Sequence, residues 1–412
     1  MPISNRVEPC AAIVGAGRSA FGEQWYKDPE KLVMEAGLRA MESVDTGLRR
    51  RDIQACYFGS FLYQATNKLS LLPGYMSREL GINIPMSTTE AACGSGGSAF
   101  YNACIAVKSG KYDMVLVGGF EKMTDRVIKI VDDLMFAADP HEFDTGFTFA
   151  GLYGTMMARY IHDYGRGDSR CVEALAQIAC KNHHHAINNE YAQYRREISV
   201  EDVLNSPPIA DPIRLLHCSP ISDGAAAVLV TRPDLAKKYT DTPIYVVSGQ
   251  QATDDISLFT RASLTGVKAT RLAVGMALKE AGISIDEIQI AEAHDCFTIE
   301  EAMFLEDCGF YETGKAWEGI HESYESNKGS KHIPYAKDGS SLIVNAGGGL
   351  KADGHPVGAT GVRQVYECFK QLRNESGKNQ VEVDGDLNLA LTHNIGGTGG
   401  IAVVHVLARD LP

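Results

Sequence analysis

The feature that most constrains the fold is an order of segments that occurs twice along the chain. In the first half a strand-like segment, CAAIVGAG, is followed by an amphipathic helix, EKLVMEAGLRAMESV, and by a second strand after RRDIQ. PIYVVSGQ, ATRLAVGMALKEAG and SIDEIQIAEAHDCF repeat that order in the second half. Both halves end in small residues that lead into an apolar strand, SDGAAAVLV and GTGGIAVVHV. We interpret the pattern as an internal duplication of an α/β unit of roughly 150 residues; a chance similarity of two α/β segments is the alternative.

The duplication predicts the domain organisation. We assign residues 1–120 together with 209–240 to the first half and residues 241–412 to the second half. Residues 121–208 have no counterpart and are rich in Met, His and Tyr. Because long insertions are often functional, we expect this inserted loop domain to cover a site.

Charge and composition argue against several classes of protein. The formal net charge of −13 disfavours nucleic acid and anionic membranes as partners. No run approaches the ~18 apolar residues that a membrane helix requires, and MPISNRVEPC does not resemble a signal peptide. The ten cysteines form no C-x-x-C pair, which is typical of buried free thiols in a reducing cytoplasm.

Two motifs suggest chemistry, but we interpret both as structural. IVGAGRSA offers Gly15, Gly17 and Ala20 in a G-x-G-x-x-A pattern, yet the next helix is expected near Pro29, which favours a tight turn over a dinucleotide site. Three consecutive histidines, 183–185, point about 100° apart on a helix and cannot converge on one ion. We predict a polar helix face there, and no metal site.

Cys93 is the candidate nucleophile. Small residues surround it in TEAACGSGGSAF, where they permit a sharp turn and the close approach of a ligand. The helical spacing that follows places the thiol at a helix N-terminus, where the dipole favours the thiolate and lowers the pKa from its usual ~8.5. On this segment alone, a packed structural thiol is an equal alternative.

Three histidines at junctions rich in small residues favour the nucleophile. His355 lies in GGGLKADGHPVGATG, at the position of the second half that corresponds to Cys93, and is a candidate base. His294 in AEAHDCF and His393 in LTHNIGGTGG follow strands, where open α/β sheets bind their ligands. One cysteine and three histidines suit acyl transfer.

AACGSGG, HDCF, GHPVGATG and HNIGGTGG together resemble the thiolases over nearly the whole chain. HDCF and a histidine in the last block are most similar to the archaeal-type and sterol-carrier-type branch. The resemblance implies an α/β thiolase-like fold with two duplicated halves, a layered α-β-α-β-α core and an inserted loop domain. It also implies a C-acyltransferase that cleaves a 3-oxoacyl-CoA with coenzyme A, or runs the reverse condensation.

The resemblance also implies roles. Cys93 would accept the acyl group, His355 would take its proton, and His294 would hold the thioester oxygen. His393 would stand where most relatives have a second cysteine and act as acid or base; we expect an imidazole there to lower the acidic limb of the pH–rate profile.

Binding groups follow from the same resemblance. Backbone N–H groups of Cys93 and of the turn that begins at Ile395 and Gly396 would form an oxyanion site. Phe297, Gly94 and Gly349 are expected to contact the substrate, with no permanently bound cofactor and coenzyme A as a substrate.

The substrate stays open between acetoacetyl-CoA and a bulky or aromatic 3-oxoacyl-CoA such as benzoylsuccinyl-CoA, for which the glycines near Cys93 would leave room. Family resemblance implies a homodimer or higher homo-oligomer and a small partner with a zinc ribbon and an OB-fold. Two alternatives are an acyltransferase that uses a carrier protein or water, and a non-catalytic scaffold that binds acyl-CoA. Arg126, Lys129 and Arg159 are candidate cations for coenzyme A, although solvated surface charge is the better interpretation of each.

Overall fold

The computed structural model describes residues 7–126, 128–337, 339–383 and 385–412. The expectation about a signal peptide rests partly on residues 1–6, which lie outside these ranges. Within them, every helix is too short or too polar to cross a bilayer. All ten cysteines are free and nine are buried, as the sequence predicts.

One large mixed sheet and a two-stranded ribbon contain the strands of the described residues. In chain order the strands are β1 Ala11–Arg18, β2 Ala55–Gly59, β3 Met86–Thr89, β4 Met114–Glu121, β5 Pro208–Ala210, β6 Ile213–Arg214, β7 Gly224–Thr231, β8 Ile244–Thr253, β9 Ile290–Glu292, β10 Tyr335–Lys337, β11 Ser340–Val344, β12 Leu389–Gly396 and β13 Ile401–Ala408. β5 and β6 form the separate ribbon.

The order of strands confirms the duplication. The large sheet runs β10-β11-β9-β12-β13-β8-β1-β7-β4-β2-β3. From the centre outward, β1-β7-β4-β2-β3 matches β8-β13-β12-β9-β11, and each matching pair has the same parallel or antiparallel sense. β1 and β8 join the halves as an antiparallel pair.

Helices flank the sheet and fill its centre. They are α1 Pro29–Glu42, α2 Tyr63–Asn67, α3 Leu72–Leu80, α4 Ser95–Lys108, α5 Ile130–Leu134, α6 Pro140–Asp144, α7 Phe149–Tyr160, α8 Ser169–Ala186, α9 Val200–Asn205, α10 Lys268–Ala281, α11 Thr298–Asp307, α12 Ala316–Ser326, α13 Gly349–Ala352 and α14 Thr360–Leu372. A π-helical turn, Ile161–Gly165, extends α7.

Two matching helices form the central layer. α4 and α14 pack against each other and against strands of both halves, whereas α1 and α10 cover the outer faces of β1 and β8. Glycines allow the central helices to approach, because a Cβ on Gly361 would lie 2.1 Å from the Gly97 backbone nitrogen. This layering brings the N-terminal ends of α4 and α14 together.

The two motifs that we interpreted as structural differ in detail from expectation. Gly15 and Gly17 lie within β1 and not in a tight turn; a Cβ on Gly17 would meet the Ala40 nitrogen at 2.3 Å, so they let α1 pack on the strand. α1 begins at Pro29, as predicted. The polar face predicted for 183–185 is wrong for His183 and His185, which are buried in α8 with Nδ1 atoms on the Arg196 and Asn345 carbonyls.

Candidate active site

Cys93 lies in a tight turn directly before α4. Ala92, just ahead of it, has a φ of 50°, a left-handed conformation that costs an alanine of order 1–3 kcal/mol. Ser95 holds the turn, because its Oγ accepts from the Ala91 nitrogen at 2.9 Å and donates to the Ala92 carbonyl at 2.6 Å. The thiol therefore sits where the sequence predicts, at the start of a helix.

Three distant segments converge at this thiol. The donor atoms of Cys93, His294 and His355 all lie within 4.8 Å of one another, and all three residues are buried. The imidazole rings of the two histidines pack edge to face, with 5.1 Å between their centroids. His294 follows β9 and His355 precedes α14, both in the second half, whereas Cys93 comes from the first half, so both halves of the chain contribute to the cluster.

Hydrogen bonds assign the tautomer of His355. Its Nδ1 lies 2.7 Å from the Thr360 Oγ1, and that hydroxyl donates in turn to the Pro356 carbonyl at 3.1 Å. Because the hydroxyl proton is used in the bond to Pro356, the hydroxyl oxygen accepts from Nδ1–H of His355. Nε2 of His355 is therefore unprotonated. His355 is thus arranged as a base towards the cluster.

His294 has the opposite arrangement. The Asn394 Nδ2 and the Ile395 backbone nitrogen donate to its Nδ1 at 3.2 Å and 3.4 Å. The ring proton is therefore on Nε2, a buried atom with no hydrogen-bond partner in the described structure. An unpartnered buried donor is costly, and an oxygen atom of a substrate would satisfy it.

The pKa of the Cys93 thiol is raised, and not lowered as the sequence predicts. Burial, together with the nearby Glu121 carboxylate, raises the pKa of the thiol to about 12. Backbone N–H groups of Gly397 and of Cys93 itself lower it, but burial is the larger effect. Burial also lowers the pKa of His355 to about 3, with Arg363 acting in the same direction. The resting pair is consequently a neutral thiol and a neutral imidazole.

The backbone donors near the sulfur are those of Cys93 and Gly397. The expectation for Ile395 is wrong in position, because its N–H is directed to His294 Nδ1. Gly396 pairs with Ile401 in the β12–β13 ladder. Gly397 follows with a φ of 64°, a conformation that glycine adopts without strain, and its N–H reaches the sulfur.

His393 does not take the place expected of it. Its Nε2 lies 2.8 Å from the Thr270 Oγ1, and its ring stacks on Phe304 at 4.8 Å. Successive residues of a strand point to opposite faces, so Asn394 and not His393 is directed towards the cluster. The Asn394 Oδ1 accepts from the Gly97 nitrogen, and its Nδ2 donates to the Cys93 carbonyl, both at 3.0 Å.

Sequence reasoning also missed Cys296 and Tyr153. Cys296 is the third residue of HDCF; burial raises the pKa of its thiol well above the usual value, and a hydrogen bond with the Tyr153 hydroxyl opposes this. The Tyr153 ring stacks on Phe297 at 4.6 Å, and its hydroxyl lies 3.3 Å from the Gly397 carbonyl. Cys296 could have been found from the sequence, because it is a second cysteine two residues after a predicted site histidine. No sequence pattern pointed to Tyr153, which lies in the insertion.

The glycines assigned to substrate binding have packing roles. A Cβ on Gly94 would lie 3.3 Å from the Gly396 nitrogen, and one on Gly349 would lie 2.4 Å from the Asp295 carboxylate. Both positions therefore have to be glycine for packing, and their contact with a substrate stays a prediction. Phe297 remains a predicted contact.

A metal ion would suit this cluster less well than a substrate. Cys93, His294 and His355 supply three donor atoms, which is the number that a catalytic zinc ion takes from a protein, so the protonation of these atoms decides the question. The hydrogen bonds at Nδ1 leave the proton on the Nε2 of His294, which makes that atom a donor and not a ligand.

Comparison with known proteins agrees with the fold. Residues 11–234 match the family profile described as "Thiolase, N-terminal domain", and residues 250–409 match "Thiolase C-terminal domain-like". These two matches cover most of the chain. The protein belongs to the thiolase family of acyltransferases.

Two curated relatives have different substrates in their names. The chain is 40% identical over 400 residues to the acetyl-CoA acetyltransferase of Methanothermobacter thermautotrophicus, covering 97% of this chain and 99% of that one. It is 30% identical over 396 residues to the benzoylsuccinyl-CoA thiolase subunit BbsB of Thauera aromatica, covering 95% and 96%.

Solved structures share the fold. The Ltp2-ChsH2(DUF35) aldolase matches with a TM-score of 0.78 at 22% identity over 98% of this chain and 99% of that one. Human mitochondrial 3-ketoacyl-CoA thiolase matches with a TM-score of 0.71 at 19% identity over 98% and 99%.

Proposed function

We propose that this protein is a thiolase that transfers an acyl group between Cys93 and coenzyme A. The observation that carries the proposal is the complementary pair of imidazoles at the thiol. The Nε2 of His355 accepts a proton, while the Nε2 of His294 donates one, within a cluster of atoms 4.8 Å across. A base and an oxyanion donor at one nucleophile are what acyl transfer requires.

The first half-reaction forms the acyl-enzyme. His355 takes the Cys93 proton as the sulfur attacks the 3-oxo carbon, and the backbone N–H groups of Cys93 and Gly397 stabilise the oxyanion. Proton transfer in concert with attack suits a pair that is neutral at rest, because no isolated thiolate has to form in a buried site. The bond between carbons 2 and 3 then breaks.

The departing acyl-CoA leaves as an enolate. The His294 Nε2–H holds the enolate oxygen, and the Cys296 thiol gives its proton to carbon 2. Incoming coenzyme A returns a proton to Cys296 and attacks the thioester, after which the Cys93 sulfur recovers its proton from His355. This assigns the acid/base role to Cys296 in place of His393.

We infer that the acyl group is small. The chain shares more identity with a relative named acetyl-CoA acetyltransferase than with one named for benzoylsuccinyl-CoA. A Cβ on Gly94 or Gly96 would meet backbone atoms, and one on Gly97 would meet the Asn394 side chain, so the glycines near Cys93 are used in packing. Acetoacetyl-CoA is therefore the proposed substrate, and the acetyl group is the fragment on Cys93.

The assembly and compartment are also proposals. One relative is named as a subunit, and one structural neighbour is described with a second protein, ChsH2(DUF35). These names support a hetero-oligomer in which a small partner protein binds a thiolase homo-oligomer. Ten free cysteines support a cytoplasmic location. Isolation from the native source, followed by mass determination of the intact complex, tests the assembly.

Mass spectrometry after brief incubation with acetoacetyl-CoA tests the activity. We expect an acetyl adduct on Cys93 that is lost when coenzyme A is added and that is absent in Cys93→Ser. Cys218→Ser is the matched control, because this half-buried thiol donates to the Arg214 carbonyl at 3.6 Å and is not part of the cluster at Cys93. An adduct elsewhere, or its release by water alone, would overturn the proposal.

A further inference from the structure

A buried glutamine on α14 bridges two strands that lead into the site. The Nε2 of Gln364 donates to the Glu292 carbonyl at 3.2 Å and to the His393 carbonyl at 2.8 Å. Glu292 is the last residue of β9, and His393 lies in β12. The two bonds fix the orientation of the amide, because a flipped amide would place its oxygen against both carbonyls. One fully buried side chain therefore links the two strands.

The bridge lies where the two strands separate. The parallel ladder between β9 and β12 ends at the pair of Glu292 and Thr392. The nitrogen of Ala293, next along the chain, donates to the Oδ1 of Asn345, which follows β11, at 2.9 Å. β12 meanwhile continues its ladder with β13 on its other side. The Gln364 amide is thus placed to hold β9 and β12 together at their last ladder pair.

The residues just beyond the bridge determine the tautomer of His294. His294 follows Glu292 by two positions, and Asn394 comes directly after His393. The Asn394 Nδ2 and the Ile395 nitrogen donate to the His294 Nδ1 at 3.2 Å and 3.4 Å. Both distances are near the upper limit for a hydrogen bond, so a small separation of the strands would break both bonds. The spacing of β9 and β12 therefore decides whether Nδ1 remains an acceptor.

The amide at this position has a cost that its bridging bonds explain. The Oε1 of Gln364 is buried and has no hydrogen-bond partner in the described part of the chain. An apolar side chain of similar length would avoid an unpartnered buried acceptor, but it could not donate to the two carbonyls. Thr360, one turn earlier on α14, accepts from the His355 Nδ1 at 2.7 Å. One helix thus carries a side chain that acts on each of the two imidazoles.

We propose that Gln364 is a positioning residue that keeps the ring proton of His294 on Nε2. It holds β9 and β12 at the spacing at which Asn394 and Ile395 donate to the His294 Nδ1. Without the bridge the strands are free to separate, Nδ1 loses its donors, and the proton can occupy either nitrogen. The donor to the substrate oxygen is then missing from part of the molecules. The effect on turnover rests on the proposed thiolase activity, whereas the effect on the tautomer does not.

Gln364→Met removes the bridge and keeps the length of the side chain. We expect kcat for thiolysis of acetoacetyl-CoA to fall by about tenfold or more, with KM changed by less than about threefold. In a protein that already carries His294→Ala, the same change should lower kcat by no more than about twofold, because Gln364 acts through His294. Gln371→Met is the matched control and should leave kcat within about twofold of the unmodified protein. Gln371 lies about two turns further along α14, is similarly buried, and donates to the Asn379 carbonyl at 2.8 Å, away from the site.

Nitrogen NMR of the histidine rings in the resting protein measures the tautomer without turnover, and His294→Ala assigns the signals of His294. The unmodified protein should have its His294 proton on Nε2, and Gln364→Met should show a mixture of tautomers there while His355 keeps its proton on Nδ1. If Gln364→Met does not fold, Gln364→Glu replaces it in each measurement, because it keeps the shape and can donate to at most one of the two carbonyls.

Four results would each overturn the positioning role. They are wild-type turnover in Gln364→Met, an equal loss in Gln371→Met, a full further loss in the His294→Ala protein, and an unchanged His294 tautomer. If the unmodified protein does not cleave acetoacetyl-CoA, the proposed function fails, and the NMR comparison still decides the role of Gln364.

Discussion

At the scale of single residues, the two imidazoles at Cys93 differ because their Nδ1 atoms have opposite partners. The Thr360 hydroxyl accepts from His355, whereas the Asn394 amide and the Ile395 N–H donate to His294. The Nε2 of His355 is therefore unprotonated and the Nε2 of His294 carries a proton, and both lie near the same sulfur. The neighbouring side chains, and not the histidines alone, determine which ring is the base.

Replacement of Thr360 by valine tests this assignment. The change keeps the shape of the side chain but removes the acceptor for Nδ1–H of His355, so the ring is free to move its proton to Nε2. We expect the rate of Cys93 acylation in a rapid-quench experiment to fall by at least about tenfold, with the fold retained. A wild-type rate would show that the hydroxyl does not select the tautomer.

Replacement of His294 by alanine removes the unpartnered Nε2–H donor. The loss of one such donor typically lowers turnover by about 10²–10³, so we expect a decrease of this size in kcat for thiolysis. Circular dichroism should show an unchanged fold. Near-wild-type turnover would contradict the role of His294 at the substrate oxygen.

Residue types and small neighbours were enough to predict Cys93, His294 and His355 as a cluster. The sequence did not show which residues of a strand point towards that cluster. A one-residue error exchanges the two faces of a strand, and HNIGG offers both His393 and Asn394. The direction of the pKa shift of the Cys93 thiol was also predicted wrongly. A helix N-terminus is visible in sequence, whereas the depth of burial that outweighs it depends on the packing of both halves.

At the scale of secondary-structure elements, the central helices are close because glycine is present where they meet. Gly361 on α14 and Gly97 on α4 lie at the contact, and Gly97 also donates to Asn394. The two matching helices thus carry the nucleophile at the start of one and the base just before the start of the other. The duplication made this pairing predictable, while the identity of the touching glycines required coordinates.

Gly361→Ala tests the close approach. The new Cβ would lie 2.1 Å from the Gly97 backbone nitrogen, which a flexible side chain cannot relieve. We expect the free energy of unfolding to fall by at least about 1–3 kcal/mol. Gly275→Ala in α10 is the control, because a Cβ there meets no atom within 4 Å and should stabilise the helix by about 0.5–1 kcal/mol. Equal denaturation midpoints for the two variants would contradict the packing argument.

At the scale of the whole molecule, buried charges join the two halves. Arg18 at the end of β1 donates to Asp353 at 2.7 Å and to Glu367 at 2.8 Å, and all three are buried. Arg363 on α14 pairs with Glu292 at the end of β9 in the same region. Arg18 is 335 and 349 residues from its partners and Arg363 is 71 residues from Glu292, so no local pattern in the sequence reveals these pairs.

Arg18→Met removes the cation from this network and leaves two carboxyls without it. Breaking a buried pair in this way typically costs about 3–5 kcal/mol, and we expect a loss of that size in urea denaturation. Arg232→Met, which removes exposed pairs with Asp234 and Asp113, should change the denaturation midpoint little. A small effect in both would show that the buried carboxyls are neutralised by protonation without a net cost.

Buried histidines and buried carboxyls make the free energy of unfolding change in opposite directions as the pH rises. Burial lowers the pKa to about 3 or 4 in six histidines: His183, His217, His332, His355, His393 and His405. Burial raises it to about 6, 7 or 8 in four carboxyls: Glu121, Glu292, Asp295 and Asp307. The unfolded values are about 6.5 for histidine and about 4 for the carboxyls.

The signs follow from proton binding in the two states. Below pH 6.5 the unfolded chain binds more protons at the histidines, so the free energy of unfolding decreases as the pH falls towards 4. The carboxyls bind more protons in the folded state, so their contribution is complete below about pH 4 and is lost as the pH rises through 6 to 8. With His185 and His294, whose pKa values burial also lowers, eight histidines act against seven carboxyls, since burial also raises the pKa values of Glu300, Glu306 and Glu367. The histidines still outnumber the carboxyls on the acidic side, and we therefore expect a maximum near about pH 6.5. Urea denaturation at fixed ionic strength from pH 4.5 to 8.5 measures the curve, and His405→Gln should flatten its acidic limb by up to about 1.4 kcal/mol per pH unit. A free energy of unfolding that stays constant from pH 4.5 to 6.5 would mean that these rings are protonated in the folded protein, and the neutral form assigned to His355 would then be wrong as well.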